Sequence, residues 1–396
     1  MLDVDRARRE TPGCAHVIHL NNAGAALMPR VVLDTVTDFL QLEADTGGYE
    51  AARSRKPQLD GVYISAAAML GCRPDEIAIM ENATRAWDMA FYGIPFEAGD
   101  RVLTAQAEYA SNLIAYRQVA RKRGVSIEVI PNDEHGQVSV AALREMMDER
   151  VRLVAITHVP TNGGLVNPAA EVGAVTKAWG ALYLVDACQS VGQMPLSVED
   201  LGCDMLSATS RKYLRGPRGV GLLYVRSEVL DRLEPPFLDV HAATLVNADR
   251  YEMAPGARRF ENWESNVAGK LGLGAAIDYA LDWGLDAIWR RVGHLAEGLR
   301  QGLAEIPGVQ VRDVGQVRCG IVSFSAEGWD ADGLRSELLK HRINVNRSGA
   351  GSTPLDMRAR GLEELVRASV HYYNSESEID KFCSLLATLC EEVAAT

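Results

Sequence analysis

Two residues in the middle of the chain pair a strand-end carboxylate with an amine set among hydroxyl groups. Asp186 ends the apolar run LYLVD, and Lys212 follows in SATSRK, before a turn rich in Gly and Pro and a second apolar run. A carboxylate at the end of a buried parallel strand faces the crevice where open α/β sheets bind ligands. A desolvated lysine has the lowered pKa that Schiff-base chemistry needs. Together they suit an aldehyde cofactor with a pyridinium nitrogen.

An upstream helix start is a candidate phosphate site for such a cofactor. The apolar segment Ile77–Met80 predicts a strand, and a helix is expected to begin near Thr84. The free N–H groups at a helix N-terminus favour an anion, although a threonine there can also serve only as a cap. The sequence therefore predicts either a phosphate site or a plain helix cap at Thr84.

The order of the predicted elements indicates an α/β fold. Strand candidates ending at Ile130, His158 and Asp186 alternate with helical segments of about 10 to 15 residues, which is typical of a parallel sheet covered on both faces. After Val225 an irregular stretch, residues 235–266, precedes a long helical region and a smaller α+β portion. We predict a large domain at 20–260 and a small domain at 261–396, with 1–19 packed on the small one.

Composition narrows the class of protein. The 396 residues carry a formal net charge of -12, which argues against a nucleic-acid partner. No window of 18 apolar residues and no signal-peptide pattern is present, so we expect no membrane association and a cytoplasmic location. Seven scattered cysteines without a C-x-x-C pair, and histidines without ligand spacing, favour free thiols and no metal site.

The segments LVDACQSVG and SRKYLRGPRGVGLLYV resemble those of the class V aminotransferase group. These fold-type I pyridoxal-phosphate enzymes include cysteine desulfurases, selenocysteine lyases, C–S lyases and isopenicillin N epimerase-like proteins. The resemblance runs from HLNNAGAALMP to RASVHYYNSESEID, nearly the whole chain. It implies a mainly parallel seven-stranded sheet flanked by helices, a smaller α+β C-terminal domain, pyridoxal 5'-phosphate as cofactor, an amino-acid substrate and a homodimer.

The resemblance also implies which side chains surround the cofactor. Lys212 would form the Schiff base, Asp186 would pair with the ring nitrogen, and Gln189 would lie at the phenolic oxygen. Tyr109 stands where the family often has a histidine, and it can stack on the ring but cannot act as a base at neutral pH. The remaining implied contacts, several of them to the phosphate, are Thr84, Arg85, His158, Asn162, Thr209 and Arg211.

Four further residues are implied on the substrate side. Arg367 matches the arginine that receives the substrate α-carboxylate, a role that suits the guanidinium fork, whereas an exposed ion-paired arginine is the alternative. Arg347 matches a second substrate arginine more loosely, and Asn22 and His371 are weaker candidates.

Two departures from the family pattern bear on the reaction. Ser352 stands near the position of the nucleophilic cysteine of desulfurases, and a serine hydroxyl cannot take up sulfane sulfur, so cysteine desulfurase is judged unlikely. Glu264 stands where many family members have a Thr or Ser that reaches a phosphate across a dimer. Its carboxylate would repel the phosphate, so either the backbone shifts there or Glu264 faces the substrate, Arg258 or Arg259. The preferred hypothesis is a C–S lyase, with an aminotransferase second and an amino-acid epimerase third.

Overall fold

The computed structural model describes residues 2–395. Within that range the strands are β1 Ile18–His19, β2 Ile77–Met80, β3 Arg101–Ala105, β4 Ser126–Ile130, β5 Val151–Thr157, β6 Leu182–Asp186, β7 Met205–Thr209, β8 Gly221–Val225, β9 Ala243–Asn247, β10 Arg250–Met253, β11 Val309–Val311, β12 Ile321–Ala326, β13 Ile343–Asn344, β14 Asn346–Gly349 and β15 Glu364–Ser369.

The α-helices in the same range alternate with these strands through the first half of the chain. They are α1 Val4–Arg9, α2 Arg30–Thr46, α3 Gly48–Ser54, α4 Lys56–Leu70, α5 Ala83–Tyr92, α6 Ala110–Arg123, α7 Val140–Met146, α8 Ala169–Trp179, α9 Val198–Leu201, α10 Val267–Trp283, α11 Leu285–Ala304, α12 Ala331–Lys340, α13 Pro354–Ala359 and α14 Glu376–Ala394.

The main sheet has seven strands in the order β2-β8-β7-β6-β5-β3-β4. All neighbouring strands are parallel except β8, which runs antiparallel to both β2 and β7. Strands β6, β7 and β8 are buried along their whole length, because uninterrupted apolar runs can be covered on both faces. The predicted α/β fold with a mainly parallel seven-stranded sheet is confirmed.

Helices pack on both faces of the main sheet, so the sheet has an apolar core layer on each face. Alternation along β6 sends Leu182 and Leu184 to the same cluster as Trp87 of α5. The residue between them, Tyr183, joins the opposite cluster with Val172 of α8. The sheet is thus held rigidly between two apolar layers, and its strand ends form a fixed edge on which a site can be built.

A second sheet is antiparallel and formed by the last part of the chain, in the order β11-β12-β15-β14. The N-terminal segment contacts the same part of the chain, because β1 forms a separate two-stranded parallel sheet with β13 and Arg8 forms an ion pair of 2.8 Å with Glu378 on α14. These contacts support the predicted division into domains at 20–260 and 261–396 with 1–19 on the smaller one, which stays a prediction.

The stretch at residues 235–266 differs from the expectation of irregular structure. It contains the antiparallel hairpin of β9 and β10, whose side chains are mostly exposed. The two strands could not be predicted from an alternating apolar pattern, because neither face of the hairpin is buried in the chain and such a pattern is not required. Among the residues that the structure describes, no helix is long and apolar enough to cross a membrane.

Candidate active site

A cavity of about 360 Å³ opens at the carboxyl ends of the central strands. Thr157, Asp186 and Thr209, the last residues of β5, β6 and β7, all line it. This is the edge at which open α/β sheets bind ligands. The complete lining is Asn82, Ala83, Thr84, Trp87, Tyr109, Asn112, Thr157, Val159, Thr161, Asp186, Cys188, Gln189, Thr209, Arg211 and Lys212.

The cavity brings Asp186 and Lys212 together, as the sequence predicts. One carboxylate oxygen of Asp186 accepts the Cys188 N–H at 3.0 Å, and the other accepts the Asn112 amide at 3.2 Å. These two donors fix the plane of the carboxylate. Burial lowers the pKa of the Lys212 amine, and the nearby positive charge of Arg211 acts in the same direction.

The N-terminus of α5 borders the cavity, but Thr84 does not cap the helix. Asn82 is the N-cap residue, and its side chain accepts the Arg85 N–H at 2.9 Å. Thr84 is therefore in the first helical turn and free to contact a ligand at the positive end of the helix. The alternative that Thr84 only caps the helix is wrong.

The side chain of Arg85 is not brought to the cavity. Its guanidinium lies 5.4 Å from the ring centroid of Phe237, outside the cavity lining. One residue further along a helix rotates the side chain by about 100°, which places Arg85 away from the face used by Thr84. The predicted contact between the Arg85 side chain and the cofactor is thus not supported by this geometry.

Thr209, Arg211 and Gln189 all line the cavity as predicted. Arg211 donates through Nη1 to the carbonyl of Gly24, and Gln189 donates through Nε2 to the carbonyl of Ala23 at 3.1 Å. The loop before α2 thus holds two of the lining side chains through its backbone carbonyls. Tyr109 lines the cavity too and is 40% exposed, so its ring face is free for stacking.

His158 and Asn162 lie next to the lining without belonging to it. Both are buried, and Asn162 donates to the Thr353 hydroxyl at 3.1 Å. Burial lowers the pKa of His158 to about 4, so its ring is neutral. Their predicted contact with the cofactor therefore stays a prediction, because neither side chain is part of the cavity lining.

Arg367 is buried beside Thr161 with a guanidinium that is incompletely paired. Its Nη1 donates to the Thr161 carbonyl at 3.1 Å, and its Nη2 to the Asn21 side chain at 3.4 Å. Within residues 2–395, Arg367 has no carboxylate partner and its Nε has no hydrogen-bond acceptor. Burial lowers the pKa of Arg367 to about 10. Such a group favours an incoming carboxylate.

Three other predicted substrate residues, Asn22, His371 and Arg347, are bonded to other parts of the protein, so the structure does not support their predicted contact with substrate. The Asn22 amide donates to the Ser369 carbonyl at 2.7 Å and its oxygen accepts the Tyr373 hydroxyl. Its neighbour Asn21 is the residue that meets Arg367. Asn22 is instead fully used in joining the N-terminal loop to the small sheet.

His371 is also structural. Its Nδ1 accepts the Tyr372 N–H at 2.9 Å, so Nε2 carries the proton and donates to the Tyr213 carbonyl at 3.0 Å. Burial holds the pKa of His371 well below its usual value. Both ring nitrogens are occupied, and none is left for a substrate.

Arg347 faces away from Arg367. On the small sheet Asn346 is paired with Arg367 and Arg347 with Val366, so alternation puts Arg347 on the opposite face. There it is exposed and bonded to Glu364 at 3.1 Å. The predicted second substrate arginine is therefore an exposed ion-paired residue.

The two departures from the family pattern occupy different places. The carbonyl of Ser352 accepts the Ala110 N–H at 3.0 Å, which lays its loop against the start of α6 beside Tyr109. Glu264 lies outside the cavity, in a small pocket with Asn262 and Lys270, so within this chain it does not meet the phosphate-binding edge.

Comparison with known proteins agrees with this geometry. The family model described as Aminotransferase class-V matches residues 18–382. The chain belongs to this family. A probable cysteine desulfurase of Methanothermobacter thermautotrophicus is 32% identical over 98% of this chain and 97% of its own, and a cysteine desulfurase of Dickeya dadantii is 31% identical over 96% and 94%.

Solved structures of the family have the same fold. The apo cysteine desulfurase of Thermococcus onnurineus superposes with a TM-score of 0.92 at 27% identity, over 99% of both chains. The cystine C–S lyase C-DES, in complex with its product cysteine persulfide, has a TM-score of 0.85 at 25% identity, over 95% of this chain and 99% of its own. This class V enzyme is pyridoxal-phosphate dependent.

The residues present fit pyridoxal phosphate. Buried polar atoms without a hydrogen-bond partner among the described residues cluster at and around the cavity: Gln189 Oε1, His158 Nδ1, Asn162 Oδ1, Ser207 Oγ and Arg367 Nε. Such atoms are costly unless a ligand satisfies them. A polar cofactor with an amino-acid substrate supplies partners of this kind.

Proposed function

We propose that this enzyme is a C–S lyase that eliminates the β-sulfur substituent of an amino acid. The observation that carries the proposal is the set of groups at the cavity: the amine of Lys212 and the carboxylate of Asp186 line it, and the incompletely paired guanidinium of Arg367 is buried beside its lining residue Thr161. The thiol in the lining, that of Cys188, has a pKa raised by burial and so is not a thiolate at neutral pH. The first three groups serve amino-acid chemistry. The lack of a thiolate favours elimination over sulfur transfer to the protein.

Different residues of the chain would bind the ring, the aldehyde carbon and the phosphate of the cofactor. Asp186 would hold the ring nitrogen protonated, and Lys212 would join the aldehyde carbon. The first turn of α5 with Thr84, together with Thr209 and Arg211, would hold the phosphate dianion by helix N–H groups, hydroxyl and guanidinium. When bound, pyridoxal phosphate supplies an electron sink that stabilises negative charge at the substrate Cα.

Arg367 and Lys212 perform the steps on the substrate. Arg367 would bind the α-carboxylate and thereby fix the Cα–H bond relative to the ring. The Nζ of Lys212, whose pKa is lowered by burial, would remove the Cα proton as a general base. The Cβ–S bond then breaks, sulfur leaves with the electron pair, and water releases pyruvate and ammonia.

The cavity thiol that the sequence offers is not suited to sulfur transfer. Cys188 lines the cavity next to Asp186, and burial raises the pKa of its thiol well above the usual range. A protonated thiol is a poor sulfur acceptor. The loop at Ser352, where desulfurases carry their cysteine according to the family pattern, has a hydroxyl instead.

A product assay tests this function. The cofactor-loaded enzyme is given L-cystine, an S-alkyl cysteine and L-alanine in separate reactions, without a keto acid. We expect pyruvate and ammonia from the two sulfur substrates and none from alanine, which has no leaving group. Amino transfer that requires an added keto acid would favour the aminotransferase, and D-alanine from L-alanine would favour the epimerase.

We also propose that the enzyme is a homodimer. Exposed apolar side chains concentrate in the stretch at residues 235–266: Phe237 58%, Val240 77%, Leu245 74%, Tyr251 48% and Trp263 58%. A concentration of this kind is typical of a protein–protein interface. Apart from its partly buried ends at Ala243 and Met253, the β9–β10 hairpin is exposed within the chain, and a second copy of the chain would cover it.

A further inference from the structure

A second carboxyl group is buried directly behind the cavity, on the residue before Tyr109. Glu108 has no solvent exposure and lies in the turn between β3 and α6. The mechanism above does not use it. Burial raises the pKa of Glu108, and the charge of the nearby Asp186 acts in the same direction. A buried carboxyl so close to Asp186 carries a cost and calls for a function.

Every oxygen of Glu108 is committed to neighbours that lie at the cavity wall. Oε1 accepts the Tyr109 N–H at 2.8 Å and the Asn112 amide at 2.9 Å, together with the hydroxyl of Thr157. Oε2 accepts the Thr104 hydroxyl at 2.9 Å and the Tyr116 hydroxyl at 3.4 Å. Of these five donors, Tyr109, Asn112 and Thr157 line the cavity.

The Asn112 amide connects Glu108 to Asp186. The same Nδ2 donates to Glu108 at 2.9 Å and to Asp186 at 3.2 Å, so its two N–H groups bridge the two carboxyls. The orientation of Asn112 is fixed from the Glu108 side, since one carboxyl oxygen holds both the amide and the backbone of Tyr109.

We propose that Glu108 is a positioning residue that sets the two sides of the cofactor site at once: Asp186 through the Asn112 amide, and the ring of Tyr109 through its backbone N–H. It acts by accepting hydrogen bonds, not by its charge. The proposal rests on the pyridoxal-phosphate site and not on the elimination reaction. Failure of the lyase assay therefore leaves it standing, and its own test uses cofactor binding alone.

Glutamine is the conservative replacement. In E108Q the amide oxygen accepts at the Oε1 position, and the amide nitrogen donates to the hydroxyl oxygens of Thr104 and Tyr116. In E108A all five donors lose their acceptor. Asn112→Ala removes only the bridge to Asp186 and keeps the other four contacts. Thr104→Val is the matched control, because it removes one donor to Glu108 that does not connect to Asp186 or Tyr109.

The experiment measures Kd for pyridoxal phosphate and the pH midpoint of the visible absorbance of the loaded protein, with thermal unfolding of each apoprotein as a fold check. A less firmly held Asp186 retains the ring-nitrogen proton less well, so the Lys212 nitrogen bound to the cofactor becomes more basic. We expect E108A and N112A to bind about tenfold more weakly and to shift the midpoint upward by about 0.5 pH unit or more.

E108Q and T104V are expected to keep the parent Kd within about twofold and the parent midpoint, even if T104V loses stability. A midpoint in N112A equal to that of the parent would overturn the proposal, as would E108Q behaving like E108A. If E108A does not fold, the comparison of N112A with T104V decides, because both retain Glu108.

Discussion

At the residue scale, the pairing of Asp186 with Lys212 could be predicted from the sequence, because Asp186 ends an apolar run and Lys212 precedes a turn rich in Gly and Pro. The orientation of single side chains could not. Asn21 and Asn22 are adjacent, and only the fold decides that Asn21 meets Arg367 while Asn22 is used up between loop and sheet. The only sign of Glu108 in the sequence is weak, an acidic residue four positions before Asn112 at the start of a helix.

The carboxylate role of Arg367 gives a kinetic prediction. Arg367→Leu removes the guanidinium while leaving Lys212 and Asp186 in place, so KM for the amino acid should rise about 30-fold or more. Arg367→Lys keeps a charge without the fork and should lie between the parent and R367L. Steady-state kinetics measures both. An unchanged KM in R367L would show that another group receives the carboxylate.

The neutral state of His158 predicts a pH dependence of stability. Its pKa is about 4 when folded against 6.5 unfolded, so below pH 6.5 the unfolded chain takes up a proton that the folded chain refuses. The contribution is fully present above pH 6.5 and is lost between pH 6.5 and 4. It amounts to about 3 kcal/mol of the free energy of unfolding.

Urea unfolding of the apoprotein at pH 7 and pH 4.5 measures this term. His158→Gln cannot take up the proton, so it should lose less stability than the parent over that interval. Equal losses in the two proteins would mean that His158 titrates normally in the folded state.

At the element scale, helix existence and order were predictable from the alternation of apolar runs, whereas helix starts were not. The sequence was interpreted with Thr84 as the possible cap of α5, and only the backbone shows that Asn82 is the extended N-cap residue while Thr84 is already helical. Strand pairing likewise decides that Arg347 and Arg367 point to opposite faces, which a motif match on each residue alone does not reveal.

Asn82 caps α5 and Thr84 faces the cavity, so substitutions of these two residues should have different effects. Asn82→Ala should lower the free energy of unfolding of the apoprotein by about 1 kcal/mol, since it removes the acceptor of the Arg85 N–H. Thr84→Val should leave that free energy within about 0.5 kcal/mol and weaken pyridoxal phosphate binding about tenfold. A loss of about 1 kcal/mol in the free energy of unfolding of Thr84→Val, with none in Asn82→Ala, would show that Thr84 is the cap.

At the scale of the whole molecule, the mainly parallel sheet was predictable because buried parallel strands require continuous apolar runs, whereas its seven strands were implied by the resemblance to the family. The hairpin of β9 and β10 was not predictable, since the contacts that would order its faces are absent from the single chain. The proposed homodimer supplies a second surface that can cover this hairpin.

The proposed dimer is tested by placing a charge on the exposed hairpin. Leu245 is 74% exposed, so Leu245→Asp should fold normally and sediment as a monomer, whereas the parent sediments as a dimer. Leu339→Asp, at an exposed position on α12, is the matched control and should remain dimeric. A monomeric parent at micromolar concentration would contradict the proposal.

The central claim is that the Lys212 site carries out elimination without a protein thiol as sulfur acceptor. Its most direct test is the stoichiometry of products from L-cystine in the absence of a keto acid. We predict that the parent and Cys188→Ala each form one pyruvate for each ammonia. Lys212→Ala should form neither product. Formation of alanine with sulfur bound to the protein, in place of pyruvate and ammonia, would contradict the account.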